Sequence, residues 1–289
     1  MTAIRSFVGT MPRLMGVLLS LMGAGGMLLL FPHSSQGAPA QVYLVTRFDD
    51  HFDKVCDQDC SLRDAVWAAN LHAGADTISL PSGLYILGIT GTDENAAQTG
   101  DLDILDDVRI EVGSGYATLQ GAGGWDDRIF HLVGSASRLE LRRVNVRFGS
   151  VKGTSNGGGI FNEDGVLFLD QSSVTQSQAS SGGGVYSSGV MTITNSTISN
   201  NRARIEGGGV WQGIQPLQVN NATIVNNTSN LSTGGGVKST SISFNLANSI
   251  LAGNVSSGQQ GPECDGVVVS GGYNLIQDAD QCTLDGNLT

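Results

Sequence analysis

The chain has 289 residues with 15 basic and 26 acidic side chains, a net charge of −11, and only 14% of its residues are charged against 40% hydrophobic. So low a charged share excludes a solvated disordered chain, and the negative charge excludes nucleic acid as a partner. Its 41 glycines are about twice the usual usage, without the three-residue period of collagen, so a repeated structure that needs glycine in its turns is expected.

Residues 1–40 read as a signal peptide. Arg5 and Arg13 precede an apolar stretch from Leu14 to Phe31, and Ala38-Pro39-Ala40 supplies the small-residue cleavage site. An uncleaved anchor is the alternative, but Ser20, Gly23, Gly25 and Gly26 weaken the stretch as a span. Cleavage leaves Gln41 first, exports the protein and removes Arg5 and Arg13, which gives 13 basic against 26 acidic residues and a net charge of −13. The acid is unevenly placed: residues 41–127 hold 4 basic and 16 acidic residues, and residues 128–289 hold 9 and 10.

Residues 41–75 are expected to form an N-terminal cap. Ser61-Leu62-Arg63-Asp64 has the form of a capping box, with Ala65, Val66 and Ala69 on one face of a short helix that ends near Leu71. Cys56 and Cys60 lie just ahead of it, and Cys264 and Cys282 lie at the other end. An even count in an exported chain suggests disulfides. Pairing Cys56 with Cys60 and Cys264 with Cys282 closes the shortest loops, although four cysteines allow three connectivities. The C-x3-C spacing and the lack of a neighbouring histidine argue against zinc at the cysteines.

From residue 76 to 289 a repeat governs the chain. Gly157-Gly158-Gly159-Ile160, Gly182-Gly183-Gly184-Val185, Gly207-Gly208-Gly209-Val210 and Gly234-Gly235-Gly236-Val237 recur at intervals of 25, 25 and 27 residues. Each is followed by a shared segment, from Leu167, Met191, Leu217 and Phe244 respectively, in which apolar residues alternate and no helical spacing occurs. Such a period means a solenoid, and alternation means strands. The expected fold is therefore all-β: a right-handed parallel β-helix of about 25 residues per coil, three short strands in each coil and roughly seven coils in all. Earlier coils are read at Ile78 to Ile86, Val108 to Val112 and Leu139 to Val146, and a C-terminal cap or truncated end begins near residue 255. Gln171, Asn195, Asn221 and Asn248 recur at a bend and are read as an inward amide ladder. The sequons at Asn195 and Asn221 give glycosylation as the alternative.

Several motifs now point the same way. Cys60-Ser61-Leu62-Arg63-Asp64-Ala65 resembles the Cys-Ser-Leu-Arg-Glu-Ala signature of exported bacterial right-handed β-helix proteins, with Asp64 in place of the usual Glu. Asp76 to Pro81, Gly100-Asp101-Leu102-Asp103-Ile104 and Gly272 to Ile276 extend the likeness, and the glycine triples with Asn-Ser-Thr-Ile units resemble polymorphic outer membrane proteins. The resemblance implies fold, export and surface display, in a group whose members commonly lack an assigned activity.

Function is expected to be that of a secreted or cell-surface module for adhesion or glycan contact, with no identifiable catalytic site and no resident cofactor. Its expected partner is a polysaccharide or another surface component, with no membrane span after cleavage and a monomeric state. The alternative is a carbohydrate-active enzyme of the pectate or polyuronate lyase type. Arg142, Arg147 and His131 are the candidate glycan-binding residues, and Asp101, Asp103 and Asp106 the candidate calcium ligands. Gly153-Thr154-Ser155-Asn156-Gly157 matches a nucleophile elbow in letters only, because it sits in a glycine-rich turn.

Overall fold

The computed structural model describes residues 38–92, 94–257 and 260–287. The expected signal peptide lies outside these residues except for its last three positions. The helix runs Leu62–Leu71; Ser61 caps it, its Oγ accepting from the Asp64 N–H at 3.0 Å while the Asp64 carboxylate accepts from the Ser61 N–H at 3.4 Å. Leu62, Ala65, Val66 and Ala69 are buried against the start of the solenoid. A Cys56–Cys60 disulfide fixes the entry to the helix, and a Cys264–Cys282 disulfide ties the last turns together.

The rest is a right-handed parallel β-helix with three principal faces. The first face stacks Asp76–Leu80, Asp107–Val112, Arg138–Arg142, Val166–Asp170, Val190–Thr194, Leu217–Asn220 and Phe244–Ala247, with Val42–Leu44 on its N-terminal edge. The second is an eight-stranded sheet that begins at Gly83–Leu87 and ends at Leu275–Ile276. The third runs from Leu102–Ile104 through Phe130–Leu132, Ile160–Asn162, Val185–Ser187 and Val210–Gln212 to Val237–Ser239. Cys264–Gly271 then crosses from the third face to the first and joins the two.

Coils from residue 178 onward carry a fourth strand of two residues, in Gln178–Ala179, Arg202–Ala203, Thr228–Ser229 and Val255–Ser256. Three strands per coil therefore describes only the early turns. A second left-handed bend, at Gln176, Asn200 and Asn226 (φ 54°, 58° and 57°), adds the extra corner. The register follows the repeat alignment: Leu167, Met191, Leu217 and Phe244 form one column and Leu169, Ile193, Val219 and Leu246 the next, all buried.

The glycine triples are explained by two separate demands. The first glycine of each adopts a left-handed conformation, φ +61° to +68° over Gly157, Gly182, Gly207 and Gly234. The others face the neighbouring coil at van der Waals limits: a Cβ on Gly183 would stand 2.5 Å from the Gly208 carbonyl oxygen, and one on Gly184 2.8 Å from Asn201 Nδ2.

That asparagine belongs to the inward ladder, which is not the one expected. Gln171, Asn195, Asn221 and Asn248 do take left-handed bends (φ 49° to 52°), but this conformation turns their side chains to the surface. One bond joins that column to itself, from Asn221 Nδ2 to Asn195 Oδ1 at 2.6 Å. The buried ladder consists of Asn201, Asn227 and Asn254. Each Oδ1 accepts a backbone N–H from the coil before it, from Ser177, Asn201 and Asn227 at 3.0, 3.0 and 2.9 Å. Each Nδ2 donates to a buried carbonyl, of Val174, Ile198 and Ile224 at 2.9, 3.0 and 2.8 Å. At its C-terminal end Asn254 Nδ2 also donates to the buried carboxyl of Glu263. Burial pushes the Glu263 pKa above its ordinary value, against the hydrogen bonds from Asn254, which lower it.

Two outcomes test this ladder. Asn227→Ala leaves the buried Asn201 N–H unpaired and removes a donor from the Ile198 carbonyl, and should cost about 3 kcal/mol in urea unfolding, whereas Asn221→Gly keeps the bend and should cost less than about 0.5 kcal/mol. Because the folded pKa of Glu263 is raised, its contribution is complete below the unfolded value of about 4.3 and is lost as pH rises through the folded pKa. Wild type should therefore lose stability relative to Glu263→Gln over that window; parallel pH curves would contradict the assignment.

Candidate functional site

The acidic third of the chain converges on the first coils. Arg63 on the helix has a fully buried side chain and uses every donor: Nε and Nη2 clamp Asp50 at 2.7 and 3.0 Å, Nη1 donates to the carbonyls of Ala97 and Asp101, and Nη2 also donates to that of Gly100. Asp50 in turn accepts the N–H groups of Gly88 and Ile89, both at 2.8 Å. The connection between Gly83–Leu87 and Leu102–Ile104 is thereby folded back over the outer side of the third face, and Ala97 is fully buried.

Beneath that connection lie Asp101 and Asp103, two apart on an extended segment and so on one side of it. Parallel pairing sets Asp103 beside His131, one coil later. Asp101 Oδ2 accepts from Arg128 Nη1 at 3.1 Å, Asp127 Oδ2 accepts from the Asp101 N–H at 3.2 Å, and Asp103 Oδ2 accepts from the Ala97 N–H at 2.7 Å. Burial, then the nearby charges of Asp103 and Asp127, hold the Asp101 pKa well above the ordinary carboxylate range, against Arg128. Burial also raises that of Asp127. A cleft of about 280 Å³, lined in part by Glu94, Asp101, Asp126, Asp127, Arg128 and Lys152, opens beside the group. Lys152 is salt-bridged to Asp126, so the acidic lining is largely paired.

The three candidate glycan residues are not brought together. Arg142 lies on the first face with Nε 3.6 Å from Asp170 Oδ2, Arg147 lies on the second face with Nε donating to Gln120 Oε1 at 2.7 Å, and His131 lies on the third face and is 5% exposed. Arg143 is the cause of the first separation, its left-handed φ of 59° turning the corner between the two strands. Asp106 departs from the calcium grouping: its carboxylate accepts the N–H groups of Gly74 and Asp107, while Asp101, Asp103 and His131 are the residues whose donor atoms cluster. His51 and His72, which flank the cap, stand beside Asp64 (3.3 Å) and Asp76 (2.9 Å).

One surface escaped the sequence reading. The residue after each Gly-Gly-Gly-Ile/Val unit forms an outer column, Phe161, Tyr186, Trp211 and Lys238. His131 and Phe161 have ring centroids 5.0 Å apart, and Tyr186 and Trp211 are stacked at 4.1 Å. Rings stacked along the solenoid axis show solvent their edges, so this column is cohesion between coils rather than a sugar platform. It was visible in the aligned repeats as a recurrent aromatic. On the first face a groove of about 250 Å³ includes Gln218, Asn220, Asn245, Ser270 and Gly271 in its lining.

Among the described residues no helix is long and apolar enough to cross a membrane. Comparison with protein-family models, curated proteins and solved structures found no match.

Arg63 is the keystone of this end. Arg63→Met should strand Asp50, whose side chain is 3% exposed, and cost about 3–5 kcal/mol. Adding Asp50→Asn to it should restore part of that loss in thermal unfolding; a double variant that is worse by the full sum would contradict the pairing.

Proposed function

We propose that the chain is an exported β-helix module that contacts neutral glycan through its first face. The observation that carries this reading is the groove at Gln218, Asn220 and Asn245, where amides project from adjacent coils with no charged side chain in the lining. Gln218 and Asn245 are neighbours in one exposed column, at the spacing of about 4.8 Å between stacked strands. Amides at a fixed spacing offer donor and acceptor together, which is what sugar hydroxyls require. The two disulfides and the likeness of the Cys60 to Ala65 motif to exported β-helix proteins support export.

The polyuronate-lyase reading draws on a different observation, the buried acids beside the 280 Å³ cleft. It is the weaker of the two, because Asp101, Asp103, Asp126 and Asp127 each hold an Arg, Lys or backbone partner.

A glycan array on residues 41–289 decides between them. Neutral oligosaccharides should be retained, and Gln218→Ala with Asn245→Ala should weaken retention at least about tenfold, corresponding to two hydrogen bonds of roughly 1 kcal/mol each. Retention unchanged in that double variant overturns the groove. Release of unsaturated uronate from polyuronate, seen as ultraviolet absorbance, would instead establish the lyase.

A further inference from the structure

The strongest unassigned feature is the cluster under the folded-back connection. Asp101, Asp103 and His131 are all buried and each presents one donor atom, the three lying within 4.8 Å of one another. His131 Nδ1 stands 3.2 Å from Asp103 Oδ1, yet the two make no hydrogen bond, and Asp103 Oδ1 has no hydrogen-bond donor although Asp103 is fully buried. His131 Nε2 is likewise without a hydrogen-bond partner. A buried carboxylate oxygen without a donor is costly, so something other than this imidazole N–H is suited to the position.

The surroundings fit a cation. One oxygen of each carboxylate is already held, Asp101 Oδ2 by Arg128 and Asp103 Oδ2 by the Ala97 N–H, which orients both groups. The Glu163 carboxylate stands 3.6 Å beyond His131 Nε2, on the side where an outer-shell carboxylate selects the tautomer with a free Nδ1 lone pair. Three buried carboxylates, Asp101, Asp103 and Asp127, face one cation, Arg128, which leaves a formal deficit of two positive charges. Arg63 does not fill it, being clamped to Asp50. Asp101 also lines the cleft, which gives an ion a route in.

We propose that Asp101, Asp103 and His131 bind a divalent first-row transition-metal ion of the zinc class in preference to calcium. An imidazole nitrogen with two carboxylates is a borderline donor set, whereas calcium takes six to eight oxygens and Asp106 is committed elsewhere. The second grouping, His51, Asp53 and Asp64, lacks this character: Asp64 accepts from Ser61 and from the N–H groups of Asp53 and Lys54, so its oxygens serve the cap. The proposal stands apart from the glycan reading and survives its failure.

The test is titration calorimetry of residues 41–289, stripped with EDTA, against ZnCl2, MnCl2 and CaCl2. One zinc per chain should bind, at least about tenfold more tightly than calcium, and His131→Gln and Asp103→Asn should each weaken zinc at least about tenfold while His51→Ala does not. Absence of zinc uptake by the wild type, equal affinity for calcium, or unchanged affinity in both cluster variants overturns the site. Should either variant fail to fold, histidine ring 15N shifts decide: residues 41–289 hold three histidines, His51, His72 and His131. Zinc should shift a single ring in wild type and in the His51→Ala/His72→Ala variant alike; a shift that disappears in that variant overturns the proposal.

Discussion

Everything in this fold depends on the demand that each coil satisfy the backbone of the next. Parallel strands stacked at about 4.8 Å satisfy one another along the faces, but the corners carry N–H groups that point inward and have no strand partner. Asn201, Asn227 and Asn254 answer that demand by taking an N–H from the preceding coil and giving one to a buried carbonyl. The glycine triples are the other half of the same constraint. Backbone from two coils meets at Gly183 and Gly184 with no room for a Cβ, so the ladder can come close enough to bond.

The two ends of the solenoid solve a related difficulty with charge and covalent bonds. A terminal coil has no neighbour, so its core and backbone need a cover. At the N-terminal end the helix Leu62–Leu71 supplies the apolar cover and Arg63 pins the following connection through Asp50 and three carbonyls. This accounts for much of the acid in residues 41–127: Asp50, Asp64, Asp76, Asp101 and Asp103 are bound to N–H groups, imidazoles or guanidinium groups rather than spread over the surface.

Fold and register were legible because a strand column is a repeat column. Leu167, Met191, Leu217 and Phe244 align in the sequence and pair in space. The ladder was misread because two asparagine columns recur with one period, and composition does not say which faces inward. Asn195 and Asn221 occupy the left-handed corner itself, which points outward, whereas Asn201 and Asn227 follow such a corner and point in. The helix cap was legible as a local four-residue pattern. Of the cluster, Asp101 and Asp103 were legible as a pair of candidate ligands, but His131 was not joined to them, since Asp103 meets His131 only through strand pairing, 28 residues apart. Arg142 and Arg147, five residues apart in sequence, stand on consecutive strands either side of the corner at Arg143.

Native-state hydrogen exchange of the Ser177, Asn201 and Asn227 amides tests the central claim most directly, because each donates to a ladder side chain rather than to a neighbouring strand. If the ladder holds the coils together, these three amides should exchange only through global unfolding, with the same opening free energy and denaturant dependence as the strand amides of Ile193 and Val219. Exchange through a local opening, faster than those strands and independent of denaturant, would contradict it.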